Sequence, residues 1–119
     1  MVQQRLIDQY PALVEKLVEL RLRITKRFNA DKEFFARAAT KFLGEQFLPL
    51  EAAQAAVRSP ALHMATDVRP LRLTLAVYGA SEVEQGIWPR PVRIEDVLDL
   101  RFDDSMLQKH PELADEEKK

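Results

Sequence analysis

The strongest pattern in the chain lies in residues 11–47, which read PALVEKLVELRLRITKRFNADKEFFARAATKFLGEQF. In the first part of this stretch, apolar residues recur three or four positions apart, as they do on one face of a helix. These residues are Leu13, Leu17, Leu20, Ile24 and Phe28. Pro11 suits the first helical turn, because the N–H that it lacks would have no helical partner there. The sequence therefore predicts a helix that begins at Pro11 and buries this stripe.

A second amphipathic helix is predicted from about residue 30 to residue 47, after a break at Asn29. Gly44 weakens its last turn, so the helix can end there. The apolar side is formed by Phe34, Phe35, Ala38, Ala39, Phe42, Leu43 and Phe47. A short connection favours antiparallel neighbours, so residues 11–47 are predicted to form a helical hairpin. We place Leu17 and Phe42 at its seam, where truncation to alanine is expected to cost about 2–5 kcal/mol.

A shorter third helix is predicted from Leu50 to Arg58. Pro49 can open it, and Ser59 and Pro60 stop it. The following stretch, residues 60–70, has no clear period and is interpreted as a connector.

The periodicity changes after Pro70. Apolar and polar residues alternate over residues 71–78, and a second alternation runs over residues 98–103. These patterns predict a small antiparallel β-ribbon within residues 70–103, packed on the helices, which makes the fold class α+β and mostly α. In the alternative, residues 70–78 form a helix with Leu71, Leu75 and Tyr78 inward, and the chain is an all-α bundle.

Length and composition indicate one soluble globular domain, residues 1–119. The chain has a mass of 13.7 kDa, and 46% of its residues are hydrophobic and 31% charged. Its first ten residues lack the apolar run of a secretory signal, and no later stretch is long and apolar enough to span a membrane. We therefore expect a cytoplasmic protein that does not act at a membrane. The charged tail, residues 110–119, is predicted to fray.

Charge is distributed unevenly, although the formal net charge is only −1. Residues 21–41 contain seven basic residues against two acidic ones, whereas residues 95–117 contain nine acidic residues against two basic ones. Four cations are predicted near the turn between the first two helices: Arg23, Lys26, Arg27 and Lys32. They complement the helix dipoles in one interpretation, and in the other they bind an acidic protein or phosphates. The acidic segment is interpreted as a solvated face, or as a cover for these cations.

The second candidate binding element is the segment GIWPRP, residues 86–91. Each proline restricts the residue before it to extended geometry, so Trp88 and Arg90 are held in a stiff segment. Tryptophan and arginine are enriched in binding hot spots, which makes this pair a candidate contact. The alternative is that Trp88 folds back as a cover on the core.

Residues for catalysis or metal binding are sparse. The chain has no cysteine, and its two histidines, His63 and His110, lie far apart without ligand spacing. Adjacent carboxylates such as Glu95 and Asp96 point apart and cannot share a proton. No cofactor is expected.

These observations predict a non-enzymatic accessory or assembly subunit that binds another macromolecule. The expected macromolecule is a protein, either a different one or a second copy of this chain. The predicted contacts of the subunit are Arg23, Lys26, Arg27, Lys32, Trp88 and Arg90. A nucleic-acid-binding module that uses the basic turn is the first alternative, and a small enzyme is the second.

Overall fold

The computed structural model describes residues 1–62 and 64–115, and this part of the chain is entirely helical. The helices are α1 (Gln4–Gln9), α2 (Pro11–Ala30), α3 (Lys32–Leu43), α4 (Leu50–Arg58), α5 (Leu71–Glu84), α6 (Ile94–Val97) and α7 (Arg101–Lys109), followed by a 3₁₀ turn at Pro111–Leu113. The predicted start of the first helix at Pro11 is confirmed, as are the bounds of α4. The second helix ends at Gly44, which adopts a φ of 91° that other residues rarely take.

The predicted β-ribbon at residues 70–103 is wrong, because no strand is present in the described residues and the all-α alternative fits. Residues 71–78 form the first two turns of α5, and residues 98–100 connect α6 to α7. Leucine, alanine and arginine form helices readily, and a strand without a partner leaves its backbone groups unpaired. The alternation of leucines therefore did not decide the local structure.

The break between α2 and α3 lies at Asp31, two residues after the predicted position. The backbone N–H of Asp31 donates to the carbonyl oxygen of Arg27 at 2.9 Å, which closes α2. Its side-chain Oδ1 accepts from the N–H of Phe34 at 2.9 Å, which caps α3. Asn29 has a different role, since its side-chain amide donates to the carbonyl oxygen of Met64 at 2.8 Å. One residue thus ends one helix and begins the next.

Removing the Asp31 cap is expected to destabilise the fold measurably. In D31A the N–H of Phe34 loses its acceptor, so the free energy of unfolding should fall by about 0.5–2 kcal/mol. D31N is the matched control, because asparagine also caps helices well and should retain most of that stability. Urea unfolding of both variants checks this. Equal losses in D31A and D31N would show that the capping bond is not the source of the effect.

The first of two core clusters joins α3 and α4 to the C-terminal end of α2. Ala36 and Ala53 are buried and small, which lets the helices approach closely. Phe28 packs beside them, with its ring centroid 5.3 Å from that of Phe35 in an edge-to-face arrangement. The cluster is completed by Val57 and the half-buried Leu48.

A polar contact on the same pair of helices depends on pH. Glu33, in the first turn of α3, accepts from Arg58 Nε at 2.8 Å and from Gln54 Nε2 at 3.0 Å, and both donors lie on α4. The Arg58 guanidinium, with the Gln54 amide, lowers the pKa of Glu33 below its ordinary value of 4.5. A carboxyl whose pKa is lowered in the folded state stabilises that state above its unfolded-state pKa, and this contribution disappears as pH falls through the lowered value.

We therefore expect acidification below about pH 4.5 to weaken the α3–α4 contact. E33Q should be less stable than the wild type at neutral pH and should lose less stability on acidification. E51Q, which changes an exposed carboxylate of α4, should follow the wild-type pH profile. Denaturant unfolding at a series of pH values tests this, and parallel profiles for the wild type and E33Q would contradict it.

The second core cluster joins the middle of α2 to the C-terminal segment. Leu22 is fully buried against Met106 of α7 and Leu113 of the 3₁₀ turn. The guanidinium of Arg21 donates to Asp103 Oδ1 and to the carbonyl oxygen of Thr66, each at 2.8 Å. An amphipathic helix with two acidic and two basic residues therefore covers this face of α2.

The C-terminal tail takes part in this packing. The carboxylate of Asp115 accepts from the backbone N–H groups of Thr66 and Asp67 at 3.0–3.1 Å. The buried Leu113 lies within the tail that the sequence predicts to fray. The last four residues of that tail, 116–119, lie outside the described residues.

The predicted buried face of α2 is wrong for four of its five residues, and the fifth, Phe28, is buried as predicted. Val14, Leu22, Thr25 and Phe28 are buried. The predicted core residues Leu13, Leu17, Leu20 and Ile24 are instead exposed by 42–53%. The seam predicted between Leu17 and Phe42 is also wrong, since Phe42 is 87% exposed. Two apolar stripes run side by side along α2. Helix α7 covers the stripe that contains Leu22, and the more regular stripe that contains Leu17 is left exposed.

Helix α5 is the least integrated of the longer elements. Among the described helices it packs only against α6, and none of its residues is buried. Its exposed apolar side chains are Leu71, Leu73, Val77 and Tyr78.

Candidate functional site

The four predicted cations lie around the α2–α3 junction in different environments. Arg23 forms a 2.7 Å ion pair with Glu19 one turn earlier, and its guanidinium lowers the pKa of that carboxyl. Lys26 donates to the carbonyl oxygen of Ala114 at 3.1 Å. The ammonium group of Lys26 is therefore bonded to the C-terminal segment of the same chain.

The other two cations flank Asp31. The guanidinium carbon of Arg27 lies 4.2 Å from the centre of the Phe34 ring, a cation–π contact that leaves its N–H groups available. Lys32 is half-buried at the start of α3 and forms no ion pair with the described residues. Arg23 and Arg27 are four residues apart and share one side of α2, whereas Lys26 lies on another. The four cations thus do not converge on one point.

The acidic segment pairs with cations elsewhere. Asp103 binds Arg21 at 2.8 Å. Longer contacts join Glu95 to Arg72, at 3.5 Å, and Asp104 to Arg69, at 3.9 Å. The described part of the acidic segment therefore pairs with cations of α2, the connector and α5, and none of these three ion pairs involves Arg23 or Arg27.

The predicted tryptophan segment forms a second, separate surface. Trp88 is 48% exposed, so it is not a cover on the core. It lines an open groove of about 590 Å³ together with Arg90, Val92, Arg93 and Asp96. Because neither α5 nor α6, which flank this segment, packs on α2 or α3 in the described structure, the groove and the cations do not form one site.

A further groove of about 790 Å³ lies between α1 and the α6–α7 connection. The carboxylate of Asp99 in its wall is bound by Arg101 at 2.6 Å, and this guanidinium lowers the pKa of Asp99. Glu95, also in the wall, faces Arg72. These carboxylates are arranged as ion pairs. Within residues 1–62 and 64–115, no three potential metal ligands are grouped.

Sequence reasoning missed an exposed apolar surface on α2. We call the exposed residues Leu13, Leu17, Leu20 and Ile24 the α2 stripe. Along one edge of it, at spacings of seven and four residues, lie Lys16, Arg23 and Arg27, which we call the cationic row. A second stripe is visible in the sequence, because Val14, Val18 and Leu22 repeat at helical spacing on the adjoining side, but the spacing does not indicate which of the two is buried.

The extent of the exposed surface is large for this chain. Its accessible area is 9533 Å², whereas a compact monomer of this mass exposes about 6600 Å². The radius of gyration is 17.2 Å, against about 13.5 Å for a compact domain of this length. The difference in area, about 2900 Å², exceeds the roughly 800 Å² that each partner buries in a standard interface.

The described helices include none with the length and apolar character needed to cross a membrane. Comparison with known proteins adds no relative: no family model matches the chain, and no curated protein or solved structure is significantly similar to it.

Proposed function

We propose that this protein is a non-enzymatic accessory or assembly subunit that acts by binding another protein. The observation that carries the proposal is the number of exposed large apolar side chains, which include the α2 stripe and four residues of α5. Exposed apolar patches of this kind mark interaction surfaces, because leaving them in water costs free energy that a partner recovers.

The cations support a protein partner over a nucleic acid. Lys26 is bonded to a backbone carbonyl and lies on a different side of α2 from Arg23 and Arg27, which favours a protein partner over a continuous phosphate backbone. The exposed leucines and isoleucine of the α2 stripe lie beside the cationic row, and this combination is typical of a protein interface that is partly apolar and partly charged.

The experiment is to isolate the tagged full chain from its source cells at near-native abundance and to determine the mass and composition of the particle that contains it. We expect a particle larger than 13.7 kDa with a second protein in a fixed ratio, unchanged by nuclease. A chain that migrates alone, or whose particle collapses on nuclease treatment, would overturn the proposal.

Two variants show which exposed surface binds the partner in the isolated particle. L73E changes α5, and L17E changes the α2 stripe. Both residues are exposed, so neither change should unfold the chain. Loss of the partner in either variant supports binding through exposed apolar surface. Retention in both would contradict that role for these surfaces.

A further inference from the structure

The geometry of α2 points to a specific occupant for its exposed side: we infer that the α2 stripe binds an acidic amphipathic helix of a partner protein. This inference rests on the proposed protein-binding role and names the class of partner. It is based on what α2 already binds on its other side.

Helix α7 shows which kind of segment α2 accepts. It presents Met106 to the apolar residue Leu22, and its carboxylate Asp103 binds Arg21 of α2 at 2.8 Å. The docked segment is thus an amphipathic helix with two acidic and two basic residues. Its apolar residues meet an apolar stripe, and its charges meet opposite charges of α2, since Asp103 binds Arg21 and Lys109 lies 3.4 Å from Glu15. The covered side of α2 therefore shows that a helix docks on α2 by apolar contact combined with the pairing of opposite charges.

The α2 stripe repeats this arrangement on the uncovered side. Its apolar residues follow spacings of four, three and four, which is the spacing of a helix–helix seam. The cationic row runs along its edge, where a partner helix places its flanking side chains. Lys16 is exposed, and the side chain of Arg23 is 48% exposed despite its pairing with Glu19. A carboxylate row on the partner helix complements this edge.

A second copy of the chain fits this side less well. If two α2 stripes packed antiparallel, the Lys16 and Arg23 edges of the two copies would face one another, and like charges repel. In a parallel pair the same edge would face Val14, Arg21 and Phe28, an edge without a carboxylate to pair with the cations. Charge complementarity therefore favours a partner with acidic flanks.

The test uses a labelled synthetic peptide of about 20 residues, long enough to form a stable helix against the protein. It carries leucines at the seam positions and glutamates along one flank, and a matched peptide carries lysines in place of the glutamates. Fluorescence anisotropy should show the glutamate peptide binding at least about tenfold more tightly, with the difference shrinking as salt rises. Equal binding of the two peptides would overturn the inference.

Protein variants locate the peptide. L17E should abolish binding of the glutamate peptide, and L73E, the control on α5, should leave it unchanged. K16E combined with R27E should reverse the preference toward the lysine peptide. K16E alone, which does not touch the Arg27–Phe34 contact, should weaken glutamate-peptide binding if the double variant does not fold. Binding that survives L17E, or that is lost in L73E, would contradict the assignment.

Sedimentation of the purified wild type addresses the second copy. We expect a monomer, and a dimer that L17E dissociates would show that the stripe is covered by another copy, contrary to the inference. The two proposals fail separately. A nuclease-resistant particle in cells without peptide discrimination in vitro would remove only the acidic-helix partner, whereas a chain that is alone in cells would remove the protein-binding role.

Discussion

Replacing Leu22 by alanine is expected to lower the free energy of unfolding by about 2–5 kcal/mol. Leu22 has no accessible surface and packs between α2, α7 and the 3₁₀ turn. L22A removes buried methyl groups and leaves a cavity between α2, α7 and the 3₁₀ turn. The surrounding residues relax only partly into such a cavity, which adds to the loss of stability. Urea unfolding followed by circular dichroism measures the loss, which is a large share of the stability of a small domain.

L17A is the matched control for this variant. It makes the same chemical change on the same helix, but Leu17 is 43% exposed. Its loss should therefore be well below that of L22A, because the side chain gives up less buried area and leaves no closed cavity. Similar losses in the two variants, or a larger one in L17A, would mean that the other side of α2 is the core.

F28A is expected to cost about 3–5 kcal/mol, the second large effect. Phe28 is 8% exposed and is the residue through which α2 enters the α3–α4 core cluster. Its truncation removes the edge-to-face contact with Phe35 along with the buried area. The variant should lose stability without losing the α2–α7 contact, since that packing depends on Leu22 and Met106.

F42A provides the comparison for F28A. Phe42 is 87% exposed, so its removal should change the free energy of unfolding by less than about 0.5 kcal/mol. Thermal unfolding of both variants separates the two cases. A strongly destabilised F42A would restore the helical seam that the sequence predicts and would contradict the structure.

The positions of α2, α3 and α4 were predictable because their local signals act over a few residues. Pro11 opens α2, and Gly44 ends α3, through backbone properties that do not depend on the rest of the chain. The bounds of α4 follow in the same way from the prolines and the serine around it. The break at Asp31 was missed by two residues because both Asn29 and Asp31 are capping residues, and periodicity alone does not choose between them.

The buried side of α2 was not predictable from periodicity. Two stripes satisfy the same helical spacing, and the choice between them depends on α7, which is about eighty residues away in sequence. The strand prediction for residues 71–78 failed for a similar reason, since an alternating pattern fits a strand only where another strand can pair with it. The cationic residues were found because charge is visible in composition, but the exposed apolar stripe beside them was assigned to the core.

Thiol labelling of single-cysteine variants tests most directly whether the α2 stripe is exposed to solvent and the Leu22 side of α2 is buried. The chain has no cysteine, so L17C and L22C each report one position without background. At low protein concentration the L17C thiol should react with a maleimide nearly as fast as in the unfolded chain. The L22C thiol should react on the order of a hundredfold more slowly, because its reaction requires local unfolding. A protected L17C thiol beside a reactive L22C thiol would contradict the account.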